Sequence, residues 1–278
     1  MPDVVEAVWQ RLNREAITSR ANPIVRRMRA LQQRKERDRQ RVFLAEGILP
    51  VWRAADSHAP IDTLIVAPDL LTSVGAREMV VRQVEHGTRV VSVTGSVFEQ
   101  VAERENPSGI AAIISQFDAK LSQLATHRTA VLAAFHTPSN PGNLGTSLRT
   151  IDATGCDGAI VIGGTDVYSP ACVKASMGTL FSVPFARTQD WDTVAAWCRE
   201  QQLATVATSS RAEMDLWSTR LPERCVLVFG NEGEGLPASV AASCDMSVKI
   251  PMAHGGSLNL AVAVAVVLFE HRRQHPSS

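Results

Sequence analysis

Three polar, glycine-containing loops hold most of the residues whose types and spacing suit chemistry. The first, SNPGNLGTSLR, spans 139–149 and offers Asn143, Gly145 and Arg149. The second, GNEGEGLP, spans 230–237 and offers Gly230, Asn231 and Glu232. The third, PMAHGGSLN, spans 251–259 and offers Pro251, Met252, Ser257, Leu258 and Asn259. Each follows an apolar run that reads as a strand. In parallel α/β sheets, ligands collect at the carboxyl ends of strands, where loops and helix N-termini present free N–H groups. Three such loops in one half of the chain predict a ligand site.

Each residue also has a plainer use. Asn143 and Gly145 suit a turn that starts a helix. Ser257 suits a helix cap. Arg149 sits in the otherwise apolar segment TSLRTIDATG, where a lone Arg is commonly a surface residue with a packed stem. GNEGEG resembles a phosphate loop, but no GK[ST] follows, and it is not GxGxxG. That argues against an NTPase and against a dinucleotide-binding oxidoreductase. His136 and His254 lie in loops without a matched Asp or Cys partner. Cys156, Cys172, Cys198, Cys225 and Cys244 form no CxxC and stand with no His pair, so no metal site is expected. These residues alone give a glycine-rich ligand site and do not choose a reaction.

Alternating elements must position the loops. In the first half, 4–16 reads as a helix, and NPIVRRMRALQQRKERDRQR reads as a basic amphipathic helix. Asn22 is its cap, Pro23 its first residue, and Ile24, Val25, Met28 and Leu31 its apolar face. RVFLAEG, IDTLIVAP, TRVVSVT and GIAAIIS read as strands. Helices are expected at ILPVWRAA, at 77–86 and, capped by Ser96, at SVFEQVAE. The alternation predicts an α/β layered fold with substantially parallel strands. Residues 116–128 are polar and mark a junction. The second half repeats the pattern, with strands at TAVLAAFH, GAIVIGG, LATVATS, CVLVFG and MSVKIP. Its helices are expected at 144–154, 173–179, 194–201 and 258–274.

The chain has 278 residues, 45% hydrophobic and 20% charged, with no net charge. That composition is ordinary for a soluble globular protein. Aromatic residues make up only 5% and include a single Tyr, so base stacking on many rings is not expected. The charge is uneven. Residues 11–41 hold eleven Arg and Lys against three acidic residues, about +8 locally. Such a basic segment suits a polyanionic partner or, alternatively, a solvated helix face. The N-terminal residues lack an apolar signal core, and the longest apolar run is too short for a bilayer. A reduced, cytoplasmic protein with no membrane partner is expected.

Taken together, the loops resemble the SpoU/TrmH branch of the SPOUT RNA methyltransferases. Asn143-Leu-Gly145 with Arg149 matches the first family motif, LVFGNEGEGL at 227–236 the second, and IPMAHGGSLNLAVAVA at 250–265 the third. KASMGTLFSVP at 174–184 is similar to the family's linker between the first two. In the first half, FLAEG at 43–47 and VFEQVAERENPSGIAAI at 97–113 are similar to the opening and the end of the family's appended substrate-binding domain. Some resistance-type relatives carry an Arg where this chain has Met177; Lys174 lies nearby.

The resemblance implies an N-terminal RNA-binding domain at 1–115, a linker at 116–128 and a methyltransferase domain at 129–278. The first is similar to a small ribosomal-protein fold. The last is implied to be an α/β domain with a parallel sheet and a C-terminal trefoil knot. It implies S-adenosyl-L-methionine as cofactor, met by Thr208, Gly230, Asn231, Ile250, Pro251, Met252 and Leu258. The implied reaction is transfer of a methyl group to a ribose 2′-hydroxyl. Arg149 would stabilise the developing oxyanion, Asn143 would orient Arg149 or the ribose, Glu232 would bind substrate or hold its loop, and Ser257 and Asn259 would position the ribose. RNA, ribosomal in particular, would meet Arg26, Arg27, Arg34, Lys35 and Arg39. The resemblance further implies a homodimer that shares its active site, and no metal. The alternatives are a ribosome-assembly factor that keeps the fold alone, and a tRNA 2′-O-methyltransferase.

Overall fold

The computed structural model describes residues 2–103, 105–124 and 130–276. They divide into two compact units, Met1–Gln116 with Tyr168–Phe181, and Phe117–Val167 with Ser182–Ser278.

In the first unit, helices α1 (Pro2–Arg14), α2 (Pro23–Ala30) and α3 (Arg34–Gln40) precede strand β1 (Val42–Glu46). Then follow α4 (Ile48–Asp56), β2 (Ile61–Val66), α5 (Val74–Glu85), β3 (Val90–Ser92), α6 (Gly95–Glu99) and β4 (Ile110–Ser115). The sheet order is β1-β4-β2-β3. Only β2 and β3 are parallel, and β4 runs antiparallel to both neighbours. This half is therefore a mixed sheet, unlike the mostly parallel one expected from its alternation. The apolar face of α2, with Ile24, Val25 and Met28, and Leu31 just beyond it, packs on Ile65, Val97 and Phe98.

The expected long basic helix is two short ones. Asn22 caps α2 through its side chain and Pro23 begins the helix, as expected. The break at 31–33 has a physical cause. Arg37 is buried, and its guanidinium donates to the carbonyls of Leu31 and Gln32, both at 2.8 Å. Those are carbonyls a helix end leaves free. Not all of 34–41 is a solvated face, because this one arginine is turned inward. Farther on, Thr94 and not Ser96 precedes α6.

The second unit is a seven-stranded sheet built from β5 (Val131–His136), β6 (Gly158–Ile162), β7 (Phe185–Thr188), β8 (Ala204–Thr208), β9 (Met214–Asp215), β10 (Cys225–Phe229) and β11 (Met246–Lys249). Helices α7 (Pro141–Thr154), α9 (Trp191–Glu200), α10 (Ala238–Ser243) and α11 (Leu260–Gln274) belong to the same unit. The strand order is β7-β6-β5-β10-β8-β11-β9, and every pair is parallel. Strands buried on both faces read as continuous apolar runs; VLAAF, GAIVI and CVLVF do so. The short β7, β9 and α10 were not expected. Helix α8 (Pro170–Ala175), which the reading placed in the 129–278 domain, groups with the first unit. The expected junction at 116–128 and the start at 129 lie partly outside the described residues, at 125–129.

The chain runs outward from β5 to β6 and β7, then resumes at β8 beyond β10. That reversal sets the loops after β5 and β10 side by side. Ligands favour such a switch point at the carboxyl ends of the strands.

Candidate active site

The loop after β5 begins α7. Asn140 caps the helix, its side chain accepting from the amides of Gly142 (2.8 Å) and Asn143 (3.2 Å), with Pro141 at the first helical position. The helix thus starts earlier than expected, and Asn143 lies in its first turn. The Asn-Pro signal read at 22–23 recurs here and marks the true start. The loop after β10 closes on itself: Asn231 and Gly235 exchange backbone hydrogen bonds of 3.0 and 2.9 Å. Asn231 also accepts from the Gly233 amide (2.8 Å) and donates to the Thr137 carbonyl (2.7 Å).

Glu232 binds the two loops together. Its carboxylate accepts from the Ser139 amide (2.8 Å), the Ser139 hydroxyl (2.7 Å), the Asn140 amide (3.1 Å) and the Asn143 side chain (3.0 Å). Partial burial pushes its pKa up, but the bonds from Ser139 and Asn143 outweigh that and hold it at about 2, below the ordinary 4.5. Near neutral pH it is ionised, which suits holding the loops. An ionised carboxylate only accepts, so it fixes the Asn143 amide with its NH₂ inward. The opposite end of that amide, Asn143 Oδ1, accepts from Asn259 Nδ2 at 2.9 Å. Asn259 in turn caps α11 by accepting from the Ala261 amide at 2.9 Å. The cap of α11 is therefore Asn259, and Ser257 is an exposed loop residue.

A cleft of about 310 Å³ opens beside this chain of bonds. Thr208, Gly230, Asn231, Ile250, Met252 and Leu258 line it, as do Glu232 and Ser257. The Thr208 hydroxyl donates to the Val228 carbonyl at 2.9 Å and so also ties β8 to β10. Pro251, Asn143, Asn259 and Arg149 are not part of the lining. Arg149 is exposed on α7, and its side chain makes no hydrogen bond or ion pair among the described residues. Ser139 and Asn140 at the network, and Ser209, Ser210 and Arg211 at the cleft, escaped the sequence reading. Only Asn140 carried a legible signal, the Asn-Pro cap.

Gly230 has a different reason to be glycine from the one expected of a ligand contact. A Cβ there would lie 2.2 Å from the backbone of Gly235 and Leu236. The tight loop itself forbids a side chain.

At the candidate RNA contacts, Arg26 and Lys35 are exposed. Arg27 bonds Gln40 (3.0 Å) and Asp62 (2.6 Å). Arg39 pairs with Glu36 through two bonds, and Arg34 lies 3.6 Å from Asp38. His136, at the end of β5, has its pKa lowered by burial. No cluster of three or more His, Cys, Asp or Glu that could hold a metal occurs among the described residues.

Residues 130–269 match the SpoU rRNA Methylase family, and 22–112 match the MRM3-like substrate binding domain. A 23S rRNA (uridine(2479)-2′-O)-methyltransferase of Streptomyces viridochromogenes is 31% identical, over 94% of this chain and 93% of its own. A 23S rRNA (guanosine(2553)-2′-O)-methyltransferase of Bacillus subtilis is 27% identical, over 92% of this chain and 98% of its own. Among solved structures, the AdoMet-bound rRNA methyltransferase from Sinorhizobium meliloti superposes with a TM-score of 0.85 at 35% identity, over 94% of this chain and 98% of that one. The family match covers the three loops that Glu232, Asn143 and Asn259 join and extends into α11, to residue 269. The chain belongs to the SpoU rRNA methylase family.

Proposed function

We propose that the protein transfers a methyl group from S-adenosylmethionine to a ribose 2′-hydroxyl in large-subunit ribosomal RNA. The observation that carries this is the hydrogen-bond chain Glu232–Asn143–Asn259, which joins three loops at a cleft of about 310 Å³. That volume is in the range of small-ligand pockets. The lining fits the cofactor: Phe229, Val248, Ile250 and Leu260 offer apolar surface for an adenine, and the 230–235 backbone offers polar groups. Thr208, Gly230, Asn231, Ile250, Met252 and Leu258, which line the cleft, would hold it.

When bound, the cofactor supplies an electrophilic methyl. The chain's own residues do the rest. Ser257 and Asn259 position the ribose, which converts an encounter into an oriented approach. Arg149 stabilises negative charge developing on the 2′-oxygen. Asn143 and Glu232 fix the loop geometry.

Arg149 does not line the cleft of its own chain, which suits a homodimer in which it reaches the partner's site. Val262 and Phe269 of α11 are 48% and 51% exposed, and their seven-residue spacing puts them on one helix face. That apolar face suits a subunit interface. A trefoil knot at the C-terminus is part of this reading. It is supported by the place of β11 between β8 and β9, and by Gln274, His271 and His275, which bond the 219–222 segment. A cytoplasmic location suits a ribosomal RNA substrate, and no helix of the described residues is long and apolar enough to cross a membrane. The domain division proposed is 1–115, 116–128 and 129–278.

The test is methylation-site mapping on ribosomal RNA from cells with and without the gene. One 2′-O-methyl mark that disappears with the gene is the expected result; unchanged marks overturn the assignment.

A further inference from the structure

The first unit carries a second cleft, of about 490 Å³, lined by Ile17, Asn22, Pro23, Ile24, Arg27, Arg89 and Val91. Its lining comes from the segment before α2 and from α2 itself, and from β3 with the residue preceding it. Ile17 is tied to the end of β3: its amide donates to the Ser92 carbonyl (2.9 Å) and its carbonyl accepts from the Thr94 amide (3.0 Å). The lining side chains are mostly apolar, with two arginines and no carboxylate.

The two arginines differ. Arg27 is held by Asp62 and Gln40. Its charge is met, and its guanidinium is fixed in place. The Arg89 side chain is exposed and makes no hydrogen bond or close ion pair among the described residues; its charge acts on Asp62 at longer range, and its carbonyl accepts from the Leu64 amide at 2.8 Å. An apolar slot beside an exposed arginine complements a flat heteroaromatic ring that carries an anion. An arginine meets a phosphate in two-pronged fashion and can also stack on a base. Single-stranded RNA is gripped by this pairing of apolar or planar surface with backbone charge.

We propose that this cleft receives one unpaired nucleotide of the RNA substrate, its base between Ile17, Pro23 and Val91 and its phosphate on Arg89. The inference rests on the reading of the protein as an RNA methyltransferase, and it places a substrate contact outside the cofactor cleft.

The experiment uses the full chain and a short fluorescent oligouridylate containing thiouridine. Arg89→Ala weakens binding roughly tenfold, as loss of a charge-assisted bond does. It also lowers the slope of log affinity against log salt by about 0.7, the share of one single-strand phosphate. Arg89→Glu weakens binding further. Light-induced crosslinks fall on peptides containing Ile17, Pro23 or Val91. S-adenosylmethionine affinity by calorimetry and the melting temperature stay at wild-type values in both variants, which shows that the fold is intact. Unchanged affinity and salt slope in Arg89→Glu, or crosslinks confined to other peptides, overturn the proposal. A wild-type chain that crosslinks through the cleft yet methylates no ribosomal RNA upholds the site and overturns the enzyme reading.

Discussion

Asn259 Nδ2 donates to Asn143 Oδ1 at 2.9 Å across 116 positions of sequence. One side chain caps α11, the other lies in the first turn of α7, and Glu232 sets the orientation of the second. Asn259 thus has two separable jobs. Asn259→Asp keeps a good cap but sets an oxygen against Asn143 Oδ1. Helix stability should survive and methyl transfer should fall. Asn259→Ala loses both, with about 1 kcal/mol of stability gone. Thermal melting beside single-turnover methylation separates the two jobs; equal activity in Asn259→Asp and wild type removes the asparagine pair from the mechanism.

Glu232 gives the fold a definite acid limb. Its folded pKa is about 2 against an ordinary 4.5. A depressed carboxylate adds stability that is fully present above the unfolded value and is lost as pH falls through the folded one. The wild-type chain therefore loses this contribution between about pH 4.5 and pH 2. Glu232→Gln is less stable at neutral pH and shows a flatter decline across that window. Denaturation midpoints measured at intervals of pH test this; parallel curves for the two proteins contradict the depressed pKa.

Gly230→Ala separates a loop requirement from a ligand requirement. Its Cβ would strike the Gly235 and Leu236 backbone at 2.2 Å, and backbone cannot turn aside as a side chain can. Melting temperature should drop without any cofactor present, by the 1–3 kcal/mol typical of about one forced overpacking. A variant with normal stability that has lost only cofactor affinity would return Gly230 to the role of a ligand contact.

What the sequence made legible follows from the range of the interactions. The three loops and the strands before them were legible because apolar runs and glycine clusters are local. The capping of α2 by Asn22 was legible for the same reason. Arg37 was not, because its burial depends on carbonyls that only the broken helix exposes. The antiparallel placement of β4 was invisible because alternation of elements does not encode strand order. Asn143, Glu232 and Asn259 were chosen through motif resemblance; their mutual bonding is a tertiary fact that no spacing contains. The reason for Gly230 lay in the return of its own loop, five residues on.

The salt dependence of RNA binding distinguishes the basic residues of the first unit. Arg39 and Arg27 already satisfy Glu36 and Asp62. Arg26 and Lys35 are exposed. Replacing Arg26 and Lys35 with Gln should lower the salt slope by about 1.4–1.8, from two phosphates at 0.7–0.9 each. Arg39→Gln should lower it less, since freeing Glu36 costs what the RNA contact would return. Titrations of ribosomal RNA fragments over a range of salt decide between them; equal effects of all three make the ion pairs irrelevant.

Arg149 is the sharpest test of the proposed chemistry. It is exposed on α7, and no described residue bonds its side chain, so the fold has little to lose from its removal. A surface charge of that kind, replaced by Ala, changes stability by no more than about 0.5 kcal/mol. If the arginine instead meets charge that exists only as the 2′-oxygen loses its proton, its removal raises the barrier without weakening ground-state binding. Loss of a comparable oxyanion donor costs on the order of 100- to 1000-fold in rate. Arg149→Ala should therefore lose at least about 100-fold in single-turnover methylation, with melting temperature and cofactor affinity unchanged. Arg149→Lys should recover little, because a point charge lacks the planar two-pronged contact. Since Arg149 does not line its own chain's cleft, heterodimers of Arg149→Ala with the cofactor-cleft variant Leu258→Trp should regain partial activity, one intact composite site per pair. A fully active Arg149→Ala enzyme ends this role for the arginine. Verified heterodimers without any recovery keep the arginine in the mechanism but confine it to its own subunit.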